Sequence, residues 1–185
     1  MRKSILKFIL YFGLMIANIV NVFACGPTPQ KVVKEITIKA DAATVWQIIK
    51  QFDAIAQWHP DVQTSVQLQK MDEEGSSSSF RLVTFKNGLK LEEKRRDTLD
   101  ADMKLDYQML QGDFPVSNYR GVMQVKPGAN AGEVVVSWIG RFNNKANILD
   151  APAGQDNLTA IHAIETFYDD GLVGLKKMIE GGSKK

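Results

Sequence analysis

Through the middle of the chain, from Val62 to Trp138, apolar residues return at every second position; after Asn157 they return at every third or fourth. The first spacing puts one set of side chains on one face of a β-strand, and the second makes a stripe along a helix. The alternating runs are Val62, Thr64, Val66 and Leu68; Met103, Leu105, Tyr107 and Met109; Tyr119, Gly121, Met123 and Val125; and Val134, Val136 and Trp138. Residues 80–86 and 89–99 read as two more strands, joined by Asn87-Gly88, a pair that tolerates the positive φ of a tight hairpin. Residues 73–79, with Gly75 and four serines, and residues 127–132 read as connections. Strands spaced in this way predict an antiparallel meander.

The ends complete the pattern. Residues 32–39 predict a first strand, with Ile36 and Ile38 facing one way. Asp41 is a good N-cap for a helix carrying Val45, Ile48, Ile49 and Phe52 on one side. Asp53 is expected to cap a second short helix that stops at Trp58-His59-Pro60. Ile161, Ile164, Tyr168, Leu172, Leu175 and Ile179 make the apolar stripe of a long helix over 157–180, which Gly181-Gly182 ends. A meander with one wet face must cover the other, and only this helix is large enough to do so. The expectation is an α+β fold: a curved antiparallel sheet of about seven strands wrapped around a long C-terminal helix, with two short helices after the first strand. Such a sheet and helix enclose a concave, mostly apolar space of the kind that takes small ligands.

The first residues follow a different logic. Arg2, Lys3 and Lys7 precede a charge-free run from Phe8 to Ala24, and Val22 and Ala24 sit where a signal peptidase reads. This is the pattern of a secretory signal over residues 1–24. Asn18 and Asn21 make the run a poor spanning helix, which wants about 20 apolar residues. Cys25 follows at once. It is either a lipid acceptor or an ordinary residue at a mature N-terminus; Phe23 fits a lipid-acceptor motif poorly. The mature chain then divides into an extended lead at 25–30, held out of helix by Pro27 and Pro29, one domain at 31–182 and a tail at 183–185. A domain of this length needs no disulfide, so a single cysteine does not argue against export.

Charge narrows the partners. The full chain carries a formal +2, but without Arg2, Lys3 and Lys7 it has 20 basic residues against 21 acidic ones. A mature domain near −1 has no bulk attraction to nucleic acid or anionic lipid. Membrane contact is expected only through the signal or a lipid at Cys25.

Reaction chemistry finds little to work with. His59 and His162 are the only histidines, no Gly-x-Ser-x-Gly is present, and the one thiol is Cys25. His59 is expected at a helix end or cavity mouth, and His162 at the edge of the core. Two distant histidines and a terminal cysteine do not make a metal site. Gly171 and Gly174 fall within a helix, so they cradle no phosphate. No catalytic residue, metal or cofactor is expected. Within the mixed run 92–97, Glu93 and Arg95 share a face with Leu89 and Leu91, which makes them candidates for a polar cavity floor. Trp46, Trp58, Tyr107, Tyr119, Trp138 and Phe142 are candidates for its walls or for plain core, and Arg141 for a ligand carboxylate or a partner.

At this point the residues resemble a known group. Lys34-Glu35-Ile36-Thr37-Ile38, Asp41 to Trp46, Phe52-Asp53 and Trp58-His59-Pro60 look like the opening of a START-like, polyketide-cyclase-type (SRPBCC) domain, a helix-grip fold. Gly26 to Val32, Trp58-His59-Pro60 and Pro115-Val116-Ser117-Asn118-Tyr119 resemble, more narrowly, the periplasmic accessory proteins of bacterial methanol oxidation (MxaD type). Cys25 departs from that group, where histidine is common. The resemblance implies an exported, non-catalytic protein whose partners are methanol dehydrogenase and its cytochrome c, with residues 115–119 as the candidate contact. Carriage or sensing of a small apolar ligand is the alternative, and a cyclase or dehydratase the third reading, since one fold hosts many functions.

Overall fold

A computed structural model describes residues 26–71 and 78–182. Residues 1–24, expected to be an export signal, Cys25, most of the serine loop and the expected tail lie outside the described residues. The elements are β1 (Gln30–Ile38), α1 (Ala42–Ile49), a 3-10 helix (Phe52–Gln57), β2 (Val62–Leu68), β3 (Phe80–Phe85), β4 (Lys90–Leu99), β5 (Lys104–Gly112), β6 (Val116–Pro127), β7 (Val134–Asn144) and α2 (Asn157–Gly182). The seven strands form one antiparallel sheet in the order β1-β7-β6-β5-β4-β3-β2. The expected helix-grip architecture is what the chain adopts. No helix among the described residues is long and apolar enough to cross a membrane.

Local chemistry sets the joints. Asp41 caps α1, its carboxylate accepting from the Thr44 backbone N–H at 2.8 Å and the Thr44 hydroxyl at 2.5 Å. Asp156 does the same for α2, accepting from the Thr159 N–H at 2.9 Å. Asp53 is not a cap: the second short helix is a 3-10 turn that starts one residue earlier, and Asp53 lies in its first turn. The Asn87-Gly88 hairpin forms as expected, with Gly88 at φ +87°.

The stripe of α2 meets the sheet through Ile164, Tyr168, Leu172, Leu175 and Ile179, all buried; Ile161 is only half-buried, and Ala160 and Phe167 are also buried. His162 is exposed, not at the core edge, because it lies on the far side of this stripe. The helix packs chiefly on β1 and β7. Lys34 of β1 pairs with Asp169 at 2.9 Å and Glu165 at 3.5 Å, and Lys176 donates to the Thr37 carbonyl at 2.6 Å. Leu172→Ala is therefore expected to cost about 2–5 kcal/mol, read as a lower denaturant midpoint. An unchanged midpoint would mean that α2 does not cover the core.

Between α2 and the far half of the sheet lies the Trp58-His59-Pro60 corner. Here the two helix glycines find their use. A Cβ on Gly174 would sit 2.1 Å from the Trp58 carbonyl oxygen, and one on Gly171 2.7 Å from the His59 ring. Their bare backbone lets α2 close against this corner.

Candidate functional site

The grip interior is built on one cross-strand row. Tyr107 of β5 stands opposite Gly121 of β6, which stands opposite Gly140 of β7. A Cβ at Gly121 would fall 2.3 Å from the Tyr107 ring, and one at Gly140 2.6 Å from the Tyr168 hydroxyl. The glycines thus make room for two phenols in the middle of the sheet. Trp138 lies flat on Tyr168, with ring centroids 4.4 Å apart at 11°.

These aromatics satisfy one another's polar atoms. The Trp138 indole N–H donates to the Tyr107 hydroxyl at 2.7 Å. The Tyr107 and Tyr119 hydroxyls are 3.0 Å apart, and those of Tyr119 and Tyr168 are 2.5 Å apart. Burial is the main cause that holds all three phenols well above the ordinary tyrosine range, so each stays neutral.

Below them lies a buried ion pair. Glu93 accepts from Arg81 Nε and Nη2, each at 2.7 Å, and Arg81 Nη1 donates to the Phe52 carbonyl. The guanidinium sits 4.1 Å from the Phe52 ring centroid and 5.5 Å from that of Tyr107. Sequence reasoning placed Glu93 here but missed Arg81. The signal was present: Arg81 alternates with Val83 and Phe85 and stands directly opposite Glu93. Arg95, expected beside Glu93, is half-buried further along β4. It bonds the Ser79 hydroxyl at 2.5 Å and lines a separate polar depression of about 210 Å³ with Lys50, Asp53 and Gln67.

His59 is structural in every contact it makes. Its Nδ1 accepts from the Asp61 N–H at 3.2 Å, which leaves Nε2–H to donate to the Phe167 carbonyl at 2.9 Å. Its ring stacks on Phe167 at 4.5 Å. Desolvation, the largest influence, lowers its pKa below 6.5. The unfolded chain therefore binds a proton that the folded one refuses, and stability falls as pH drops below about 6.5. His59→Gln should flatten this slope, measured as denaturant midpoints between pH 7.5 and 5.5. A slope that survives in the variant would assign it to other groups.

Among the described residues, an interior space of about 10 Å³ is lined by Leu91, Glu93, Met109, Phe114, Val116, Tyr119, Ile164 and Phe167. Of the candidate cavity residues only Glu93 and Tyr119 line it. Trp58, Tyr107 and Trp138 are core, and the Trp58 indole N–H is buried without a partner among the described residues. Trp46 is buried beneath α1, its N–H on Asp100 at 2.7 Å. Arg141 is exposed on the outer face of the sheet.

The candidate contact segment Pro115–Val116–Ser117–Asn118–Tyr119 is largely turned inward. Val116 and Tyr119 are buried, Pro115 and Ser117 half-buried, and only Asn118 is exposed. It forms an irregularity in the β6–β7 pairing, with Asn118 at φ +49°. Asn147 Oδ1 gathers N–H donors from Asn118 at 3.2 Å and Asn143 at 2.9 Å, which fixes the kink. Among the described residues no group of three or more His, Cys, Asp or Glu side chains is placed to hold a metal ion.

Comparison with known proteins agrees with this architecture. Residues 29–180 match the family model described as polyketide cyclase / dehydrase and lipid transport. Among solved structures, the protein XoxI from Bacillus cereus is 25% identical, with a TM-score of 0.65 over 80% of this chain and 94% of that one. A START superfamily protein from Mycobacterium smegmatis is 15% identical, with a TM-score of 0.58 over 80% of this chain and 98% of that one. The Zhui aromatase/cyclase from Streptomyces sp. R1128 is 14% identical, with a TM-score of 0.64 over 83% of this chain and 94% of that one. Among curated proteins none matches. With a family model matched from β1 to the end of α2 and the helix-grip order of elements in place, the chain belongs to the polyketide cyclase / dehydrase and lipid-transport family.

Proposed function

We propose that residues 1–24 export this chain and that its mature domain works by binding, as a non-catalytic accessory protein between methanol dehydrogenase and its cytochrome c. The observation that carries this reading is the filled grip. Ligand pockets run to roughly 300–1,000 Å³, and the space that Glu93, Tyr119, Ile164 and Phe167 line between sheet and α2 is about 10 Å³. Apart from the Trp58 indole N–H, its main polar groups engage one another: Glu93 with Arg81, and Tyr107, Tyr119, Tyr168 and Trp138 in one chain of hydrogen bonds. Phenols held neutral and a carboxylate held by arginine weigh against acid–base turnover. A domain with a packed interior acts through its outside.

Reconstituted alcohol-dependent cytochrome reduction tests this reading, run with and without the purified protein. The rate is expected to change with its concentration and to do so less at high salt. A rate unchanged across concentrations and ionic strengths would sink the accessory reading. A second reading, carriage of a small apolar ligand, rests on the apolar lining beside Met109, Phe114 and Phe167 and on the lipid transport in the family's description.

A further inference from the structure

The outer face of the sheet carries an arrangement that the core does not require. Lys31 of β1 stands opposite Arg141 of β7, which stands opposite Arg120 of β6. In the next outward row Val33 stands opposite Ile139, and Ile139 opposite Val122. Strand alternation turns both rows away from α2. Val32, Gly140 and Gly121 between them are buried, whereas Lys31, Arg141 and Arg120 are exposed and Val33 is 44% exposed. A strip of cations therefore runs beside a strip of aliphatic side chains. Between them is a shallow depression of about 280 Å³, lined by Lys104, Arg120, Val122, Gln124, Ile139 and Arg141.

The charges on this face are unevenly matched. Asp106 is occupied: Arg120 clamps both its oxygens, with Nε at 2.9 Å, and Arg96 approaches at 3.7 Å. Asp97 stands opposite Asp106, its carboxylate accepting from the Thr98 N–H, and Glu35 lies beyond Val33 on β1. The side chains of Lys31 and Arg141 have no ion pair or hydrogen bond among the described residues. Like charges directly opposite on neighbouring strands are destabilising. A glutamate at either position would relieve this, so folding alone does not explain the pair.

We infer that this face docks an acidic protein surface, whose carboxylates meet Lys31 and Arg141 while an apolar side chain enters the depression. The inference rests on the binding reading above and not on the identity of the partner. Arginine guanidinium groups suit bidentate carboxylates, and an aliphatic row beside them supplies area to bury. A second copy of this chain fits poorly, because an isologous pairing would bring the cation rows together. A membrane also fits poorly: the aliphatic side chains are short and lie along the strands, and the mature domain is near −1.

Amide chemical shifts of the isotope-labelled protein test this, with a short polyglutamate peptide holding one central leucine as the probe. Shifts are expected along Lys31, Val33, Arg120, Val122, Ile139 and Arg141. They should weaken with salt, and with serine in place of the leucine. Lys31→Glu with Arg141→Glu should weaken binding about tenfold or more, with the rest of the spectrum and the denaturant midpoint kept as proof of folding. Shifts elsewhere, undiminished binding by the double variant, or binding to phosphatidylglycerol vesicles but not to the peptide would overturn the inference. If the peptide maps to this face while methanol dehydrogenase and its cytochrome c leave the spectrum unchanged, the pathway reading fails and the docking surface stands.

Discussion

Arg81→Met is expected to remove about 3–5 kcal/mol of stability, the usual cost of leaving one member of a buried ion pair alone. The Arg81 and Glu93 side chains are only 5% and 2% exposed, so water cannot replace the lost partner. The variant strands two acceptors at once, the Glu93 carboxylate and the Phe52 carbonyl. It also takes the guanidinium from beside the Phe52 and Tyr107 rings. Since Phe52 begins the 3-10 turn that leads to Trp58 and His59, Arg81 ties that corner to the sheet. Urea unfolding reads the effect as a shifted midpoint at constant slope. The companion variant, Arg81→Met with Glu93→Leu, should recover most of the loss, because apolar side chains of similar volume replace such pairs at little cost. If the double variant is no better than Arg81→Met, the loss comes from packing around the methylene stem and not from an abandoned charge.

The ion pair also shows where the sequence is legible and where it is not. Period-two alternation placed the inner faces of β5 to β7, and the three-four spacing placed the buried side of α2, because burial on one face is enforced residue by residue. Glu93 was readable because its parity with Leu91 sends it inward. Arg81 obeys the same parity with Val83 and Phe85, yet a lone charge in an apolar strand looks like a solvated exception until its partner is known. Val66 shows the reverse error. It alternates with Val62 but is 56% exposed, since β2 is an edge strand whose pairing shifts after Val62. The glycines were the least readable. Gly121, Gly140, Gly171 and Gly174 look ordinary in sequence; their use appears only when Tyr107, Tyr168 and the Trp58-His59 corner arrive from elsewhere in the chain. The tightness of the space beside Glu93 was unreadable for the same reason. Concavity follows from the architecture, but its filling depends on which aromatics converge, and Phe114 and Phe167 come from a loop and a helix that periodicity does not join.

Phe167→Ala is expected to cost about 3–5 kcal/mol and to turn the packed grip into a binding pocket. Phe167 is the hub of the filling. Its ring stacks on His59 at 4.5 Å and lies 5.1 Å from Trp138, 5.4 Å from Phe114 and 5.7 Å from Phe85. It also walls the residual space beside Leu91, Met109 and Ile164, so its truncation joins its own volume to that space. Apolar cavities made in this way stay dry and take up benzene-sized molecules. The variant's thermal midpoint should therefore rise on adding benzene or indole, whereas that of the wild-type protein should not move. This difference separates the two binding readings. If wild-type protein responds to the probe as the variant does, its grip opens in solution, and the carrier reading displaces the accessory one. If only Phe167→Ala responds, the interior belongs to the fold. The accessory reading then requires that the variant, where it remains folded, still change the rate of cytochrome reduction, because the outer face of β1, β6 and β7 is untouched by a change beneath α2.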